Sequence, residues 1–278
     1  MTQRPTAELA LAAERAAQFA ALHQPGVPLL MANAWDAGSA KILAHLGYSA
    51  LATTSAGFAN SLGRHDGGVT RDEAIAHGAD LAAETPLPVS ADLEHCFATD
   101  PEGVAETVAI AAASGLAGCS IEDWDPDGEL IYDLQLARER VAAAAEAAHS
   151  GPVRLVLTAR AENHFRNIDD FDDTLARLQE FAAAGADVVY APGITSADQI
   201  RSVVDNVGVP VNMVVFPGVP SIRELGALGV ARVSVGSGFA LAAQGALAAA
   251  ARELLEQGTY GFWEGAAAAR SLRAAFDR

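Results

Sequence analysis

Carboxylates concentrate at two short stretches of this 278-residue chain. Asp92 and Glu94 lie two apart in ADLEH, a spacing that puts both side chains on one face of a strand. Glu122 and Asp123 close the stretch SIED. Acids that converge repel one another unless a cation neutralises them, and an all-oxygen donor set suits a hard ion, Mg2+ or Mn2+. Asp92, Glu94 and Glu122 are therefore candidate metal ligands, against the plainer reading of solvated acids in an acidic protein. Arg160, in TARAE, offers a bidentate fork for a substrate carboxylate or phosphonate; an ion pair with Glu162 or Glu122 is its structural alternative. Thr54, Ser55, Ala56 and Gly57 form a small-residue turn whose exposed N–H groups suit an anion or a developing oxyanion. Asn212 interrupts an apolar run, as an inward polar group or as a satisfied core amide. Cys96, just past Glu94 and beside His95, reads first as a structural residue and otherwise as a thiol that a cationic neighbour would have to activate. Cys119 reads as a core residue. His65 and His164 fall in loops, where a solvated surface role is the default for histidine.

These groups need a scaffold that gathers them, and the hydropathy pattern supplies one. Eight short apolar runs, 27–33, 48–54, 87–94, 117–123, 153–159, 186–192, 209–215 and 231–237, alternate with amphipathic segments. Near-continuous apolar runs mark strands buried on both faces, as in parallel sheets. Several helical segments end on glycine just before the next strand, in HLGYSA, ASGLAG, AAGADV and ALGVAR, the expected helix stop. Eight β-α units predict an α/β fold, a closed (β/α)8 TIM barrel, with an open doubly wound sheet as the alternative. No G-x-G-x-x-G follows the first run, which counts against that alternative. With no linker or composition shift, 1–278 reads as a single barrel domain, with an N-terminal helix over 1–25 and a helical tail over 258–278. The polar residues named above fall at the C-terminal ends of the strands, where such barrels place their chemistry.

The formal net charge of −17 argues against nucleic acid and anionic membrane surfaces as partners, while leaving a small anionic substrate open. With only two cysteines, a disulfide framework is not indicated and a cytoplasmic location is expected. The N-terminus lacks a signal-peptide pattern, and no stretch of about 20 uncharged apolar residues predicts a membrane span.

Taken in order, the turn TSAG with its following LGRHD, then ADLE, SIED and TARAE resemble the isocitrate lyase / phosphoenolpyruvate mutase superfamily, over nearly the whole barrel. The resemblance implies a modified TIM barrel that forms a homodimer or homotetramer, exchanging a C-terminal helix that the tail after Gly258 would provide. It implies Mg2+ and a small 2-oxo or 2-hydroxy carboxylate substrate. By position, Asp92, Glu94 and Glu122 match the metal-site acids and Asp66 a further acid near the metal. Thr54, Ser55 and Ala56 match the oxygen-binding turn, and Arg160 the substrate arginine. The lyases of the superfamily carry K-K-C-G-H after the fourth strand; here the loop reads WDPDGELIYD, without Lys, Cys or His. Cys96 is the candidate replacement acid. The expected activity is C–C bond cleavage in a di- or tricarboxylate, isocitrate or methylisocitrate lyase-like. C–P chemistry, as phosphonomutase or phosphonopyruvate hydrolase, and non-catalytic 2-oxo acid binding are the alternatives.

Overall fold

The computed structural model describes residues 6–277. Its strands are β1 (Leu29–Asn33), β2 (Leu51–Ala52), β3 (Val89–Asp92), β4 (Gly118–Glu122), β5 (Trp124–Asp125), β6 (Leu130–Ile131), β7 (Val156–Arg160), β8 (Val188–Tyr190), β9 (Val211–Val214) and β10 (Arg232–Ser234). Eight of them close a parallel barrel in the order β1-β10-β9-β8-β7-β4-β3-β2, which sets aside the open-sheet alternative. Seven of the eight barrel strands fall inside the apolar runs and β7 overruns its run by one residue, Arg160; several are shorter than their runs: of run 48–54 only Leu51 and Ala52 pair, and run 87–94 stops pairing at Asp92. β5 and β6 form a separate antiparallel hairpin in the segment expected to be a loop after the fourth barrel strand.

The helices are α1 (Thr6–Ala21), α2 (Ala37–His45), α3 (Ser55–Ser61), α4 (Arg71–Glu84), α5 (Pro101–Ala112), α6 (Leu134–His149), α7 (Phe171–Ala183), α8 (Ala197–Val207), α9 (Ile222–Ala227), α10 (Gly238–Gln257) and α11 (Trp263–Ala269). Local chemistry starts them: Asp36, Thr70 and Ser221 each close a capping box with the residue three positions on. Local chemistry also stops them. Gly47, Gly115, Gly185 and Gly229, the four glycines read as stops, all take positive φ.

Helix α1 covers the N-terminal end of the barrel. Phe19 packs so closely on Gly118 that a Cβ there would lie 2.8 Å from its ring. The opposite, C-terminal end is open and carries the polar loops. After Gln257 the chain runs through α11 to a 3-10 segment, Arg270–Phe276, that packs on α2. Helix α10 leaves Leu241, Leu247, Leu254 and Leu255 exposed.

Candidate active site

At the open end, β3, β4 and β7 stand side by side and bring Asp92, Glu122 and Arg160 together. Arg160 is buried among acids: Nη1 lies 3.1 Å from Asp92 Oδ1, while Nη2 lies 3.1 Å from Glu122 Oε2 and 2.9 Å from Glu162 Oε1. Burial opposes its charge, but Glu162, Glu122 and Asp92 outweigh it and hold the guanidinium firmly protonated. The ion-pair alternative for Arg160 is thus what these side chains form.

Glu94 reaches the same rim by a different route from the one its spacing suggested. The strand ends at Asp92, and Glu94 has φ 51°, so a turn rather than strand alternation directs its side chain. Cys96 and Phe97 also take left-handed φ, of 60° and 54°. Three strained non-glycine residues in four positions persist only where the surroundings over-determine them. Arg140, buried on α6, is the clamp: it donates to the carbonyls of His95 (2.6 Å), Ala98 (2.9 Å) and Glu122 (3.2 Å) and stacks 4.0 Å over the Tyr132 ring.

The turn after β2 closes another side. Thr54 caps α3 by accepting from the Gly57 N–H, and the Ser55 N–H donates to Asp92 Oδ2 at 3.3 Å. Gly57 is dictated by packing, since a Cβ would lie 2.6 Å from Thr54 Cγ2 and 3.0 Å from Trp35 Cβ. Thr54, Ser55, Ala56, Asp66, Asp92, Arg160 and Asn212 all line one cavity of about 530 Å3. Asp66, Glu94, Glu122, Arg160 and Ser55 line a smaller adjoining one of about 200 Å3.

The donor set fits a divalent cation in composition and charge. Five carboxylates, those of Asp66, Asp92, Glu94, Glu122 and Glu162, face two guanidinium groups, Arg160 and Arg166. Glu94 Oε1 is buried with no hydrogen-bond partner. Burial, then the Asp92 and Asp66 charges, push its carboxyl up to about 8. The acids are not drawn into a closed shell, however: no three of His, Cys, Asp and Glu among the described residues stand as a ready metal group. Arg160 lies between Asp92 and Glu122 instead.

Asp123, beside Glu122, has a structural task. It accepts from the Glu162 N–H (2.9 Å) and from Arg177 Nη1 (3.2 Å), and Arg177 also donates to the Tyr132 carbonyl (2.8 Å). Since the Tyr132 N–H bonds the Asp123 carbonyl at 2.8 Å, both ends of the β5–β6 hairpin are tied together. The hairpin sets Trp124 under Arg166, whose guanidinium stacks 4.1 Å from the indole and lies 3.7 Å from Glu122.

Cys96 is a correction. The left-handed turn points its side chain into the core, where it is fully buried, donates weakly to the Ser120 carbonyl, and has its thiol pushed well up by burial. It cannot hand a proton to a ligand at the rim. Cys119 is likewise buried, its thiol pushed up to about 12. Asn212 is a satisfied amide, accepting from Arg232 and donating to Ser234 Oγ, that also faces the cavity. His65 and His164 line neither cavity. Arg166, Trp124 and Arg140 were not singled out from the sequence, and Glu162 only as an ion-pair partner of Arg160. Only Arg166 and Glu162 carried a signal, as charged residues close after the TAR strand end.

Comparison with known proteins decides the lineage: the family model for phosphoenolpyruvate phosphomutase matches residues 19–255. The chain belongs to this family. A solved structure from Burkholderia cenocepacia, described as a lyase/mutase, is 48% identical, with a TM-score of 0.92 over 97% of this chain and 98% of that one. An uncharacterized Mycobacterium tuberculosis protein is 36% identical over 79% of this chain and 81% of its own. The solved structure of 2,3-dimethylmalate lyase, described as a member of the phosphoenolpyruvate mutase/isocitrate lyase superfamily, is 27% identical. It aligns with a TM-score of 0.80 over 89% of each chain.

Proposed function

We propose that this protein is a Mg2+-dependent lyase that cleaves a C–C bond in a small 2-hydroxy or 2-oxo di- or tricarboxylate. The observation that carries the reading is the surplus of acid at the rim, with a buried, unbonded Glu94 oxygen, next to Arg160 and the Ser55 amide. Asp92, Glu94 and Glu122 would hold the ion, directly or through water, with Asp66 nearby. A bound divalent ion supplies positive charge beside the carbonyl oxygen that gains electron density as the C–C bond breaks. Arg160 would grip the substrate carboxylate. The Ser55 N–H, already aimed into the site, donates to the oxygen that becomes anionic. Trp124 and Arg166 wall the site on the hairpin side.

The reading includes assembly. The exposed leucines of α10 would be covered by a second copy of the chain, giving a homodimer or homotetramer. Light scattering that returns a monomer, unchanged when Leu247 and Leu255 are replaced by Ser, would remove this part.

The test of the activity is incubation with Mg2+ and oxaloacetate, isocitrate, methylisocitrate, dimethylmalate and phosphonopyruvate. Metal-dependent release of pyruvate, glyoxylate or oxalate supports the lyase. Phosphate release or phosphonate interconversion replaces it with C–P chemistry. Thermal stabilisation by these acids without turnover makes the chain a binding protein.

A further inference from the structure

Below the rim the barrel is not packed solid. The interior of a (β/α)8 barrel is ordinarily filled by layers of branched apolar side chains. Here Ser90, Thr158, Asn212, Ser234 and Arg232 line the larger cavity beside apolar side chains such as Met31 and Val214. Arg232 opens β10 and is 3% exposed. Its Nε donates to Asn212 Oδ1 at 2.9 Å and its Nη2 to Thr158 Oγ1 at 3.0 Å. Its Nη1 lies 3.2 Å from His23 Nε2. His23 Nδ1 is 2.8 Å from the Phe19 carbonyl, so Nδ1 carries the proton and Nε2 accepts from the arginine. All three partners are neutral, and Arg232 makes no ion pair among the described residues. A guanidinium has five N–H donors, and these contacts use three. Burial without a counter-charge pulls its pKa down to about 9.

A buried cation without a counter-ion, lining the same cavity as the rim residues, is an arrangement that an anion completes. We propose that Arg232 is the floor of an anion subsite that receives the distal carboxylate of an extended dicarboxylate. The inference rests on the rim reading above and names the part of the substrate that reading leaves open. Length sets the class. Thr158, bonded to Arg232, and Arg160 at the rim are two residues apart on β7 and face the same way, about 7 Å along the strand, which fits a dicarboxylate of roughly four to six carbons. The buried guanidinium selects a negative end.

The experiment compares 2-oxoglutarate with 2-oxopentanoate, equal in chain length and differing at the distal end, by calorimetry with Mg2+ present. The wild type binds 2-oxoglutarate about tenfold or more tighter, and Arg232→Gln brings the two within about twofold of each other. A wild type without preference, or a preference that survives in R232Q, overturns the proposal. Glutarate with chelator present reads the floor alone: it raises the melting temperature of the wild type and not of R232Q. If neither oxo acid binds while glutarate still stabilises only the wild type, the rim reading falls and the floor stands; if glutarate gives no shift either, both fall. Should R232Q not fold, Ser234→Leu carries the test. Ser234 lies two residues above Arg232 on the same inward face, so leucine there closes the cavity while the arginine keeps its contacts. S234L that still responds to glutarate counts against the subsite.

Discussion

At the rim of the barrel five carboxylates face two guanidinium groups, whereas at the floor one guanidinium meets only an amide, a hydroxyl and an imidazole. The two ends of one cavity are therefore unbalanced in opposite directions. Positional strain is distributed the same way. The left-handed residues Glu94, Cys96 and Phe97 cluster in the turn after β3, while Thr158, Asn212 and Arg232 at the floor lie in regular strands. A barrel holds such a gradient because its strands fix the side-chain layers rigidly, leaving each layer free to carry its own charge. The contrast implies that rim changes act on cation and ligand binding, and floor changes on stability and ligand length.

The largest expected effect is at the rim. Asp92→Ala abolishes Mg2+-dependent ligand binding, measured by calorimetry with and without chelator; undiminished binding would dissolve the contrast. Next is the clamp beneath it. Arg140→Met leaves three buried carbonyls without their donor and lowers unfolding free energy by about 3 kcal/mol, read by denaturant titration, with the rim turn released. A variant as stable as the wild type would show that the strained turn holds itself.

The floor is sharpened by pH. Burial, then the Arg232 charge, hold His23 at about 4 against its ordinary 6.5. The unfolded chain takes up this proton first, so the stability linked to neutral His23 is complete above pH 6.5 and is lost as pH falls toward 4, by about 3 kcal/mol. His23→Gln flattens this limb of the stability profile; an unchanged slope would assign it to His77, also held at about 4 by burial. The smallest effect is at Cys96. Replacement by Ala costs about 1 kcal/mol of packing and leaves turnover and ligand affinity unchanged, and the native thiol resists alkylation. A drop in turnover would restore it to the chemistry.

The strands and helix stops were legible because they depend on local signals: unbroken apolar runs, and glycines that must take positive φ. The rim acids were legible because their order along the chain follows the order of strands around the barrel. What escaped has physical causes. Arg140 sits in LARERVAAAA, where a charged residue reads as solvated helix face; only tertiary packing buries it. Arg232 stood in plain view as a charge inside the buried run ARVSV, a further signal that was available and not used. Cys96 was a candidate only from its place just past Glu94, and sequence proximity does not show the left-handed turn that swings its side chain inward. The loop after β4 was read for the residues it lacks, and its pairing of Trp124 with Ile131 went unseen.

That hairpin has a further consequence. Asp123 and Tyr132 are bonded to each other and to Arg177 regardless of what lies between them. The intervening segment is therefore a cassette: its length and composition can be exchanged at little entropic cost while its anchor points stay put. Grafting a longer insert between these two anchors offers a way to redirect selectivity with the barrel untouched.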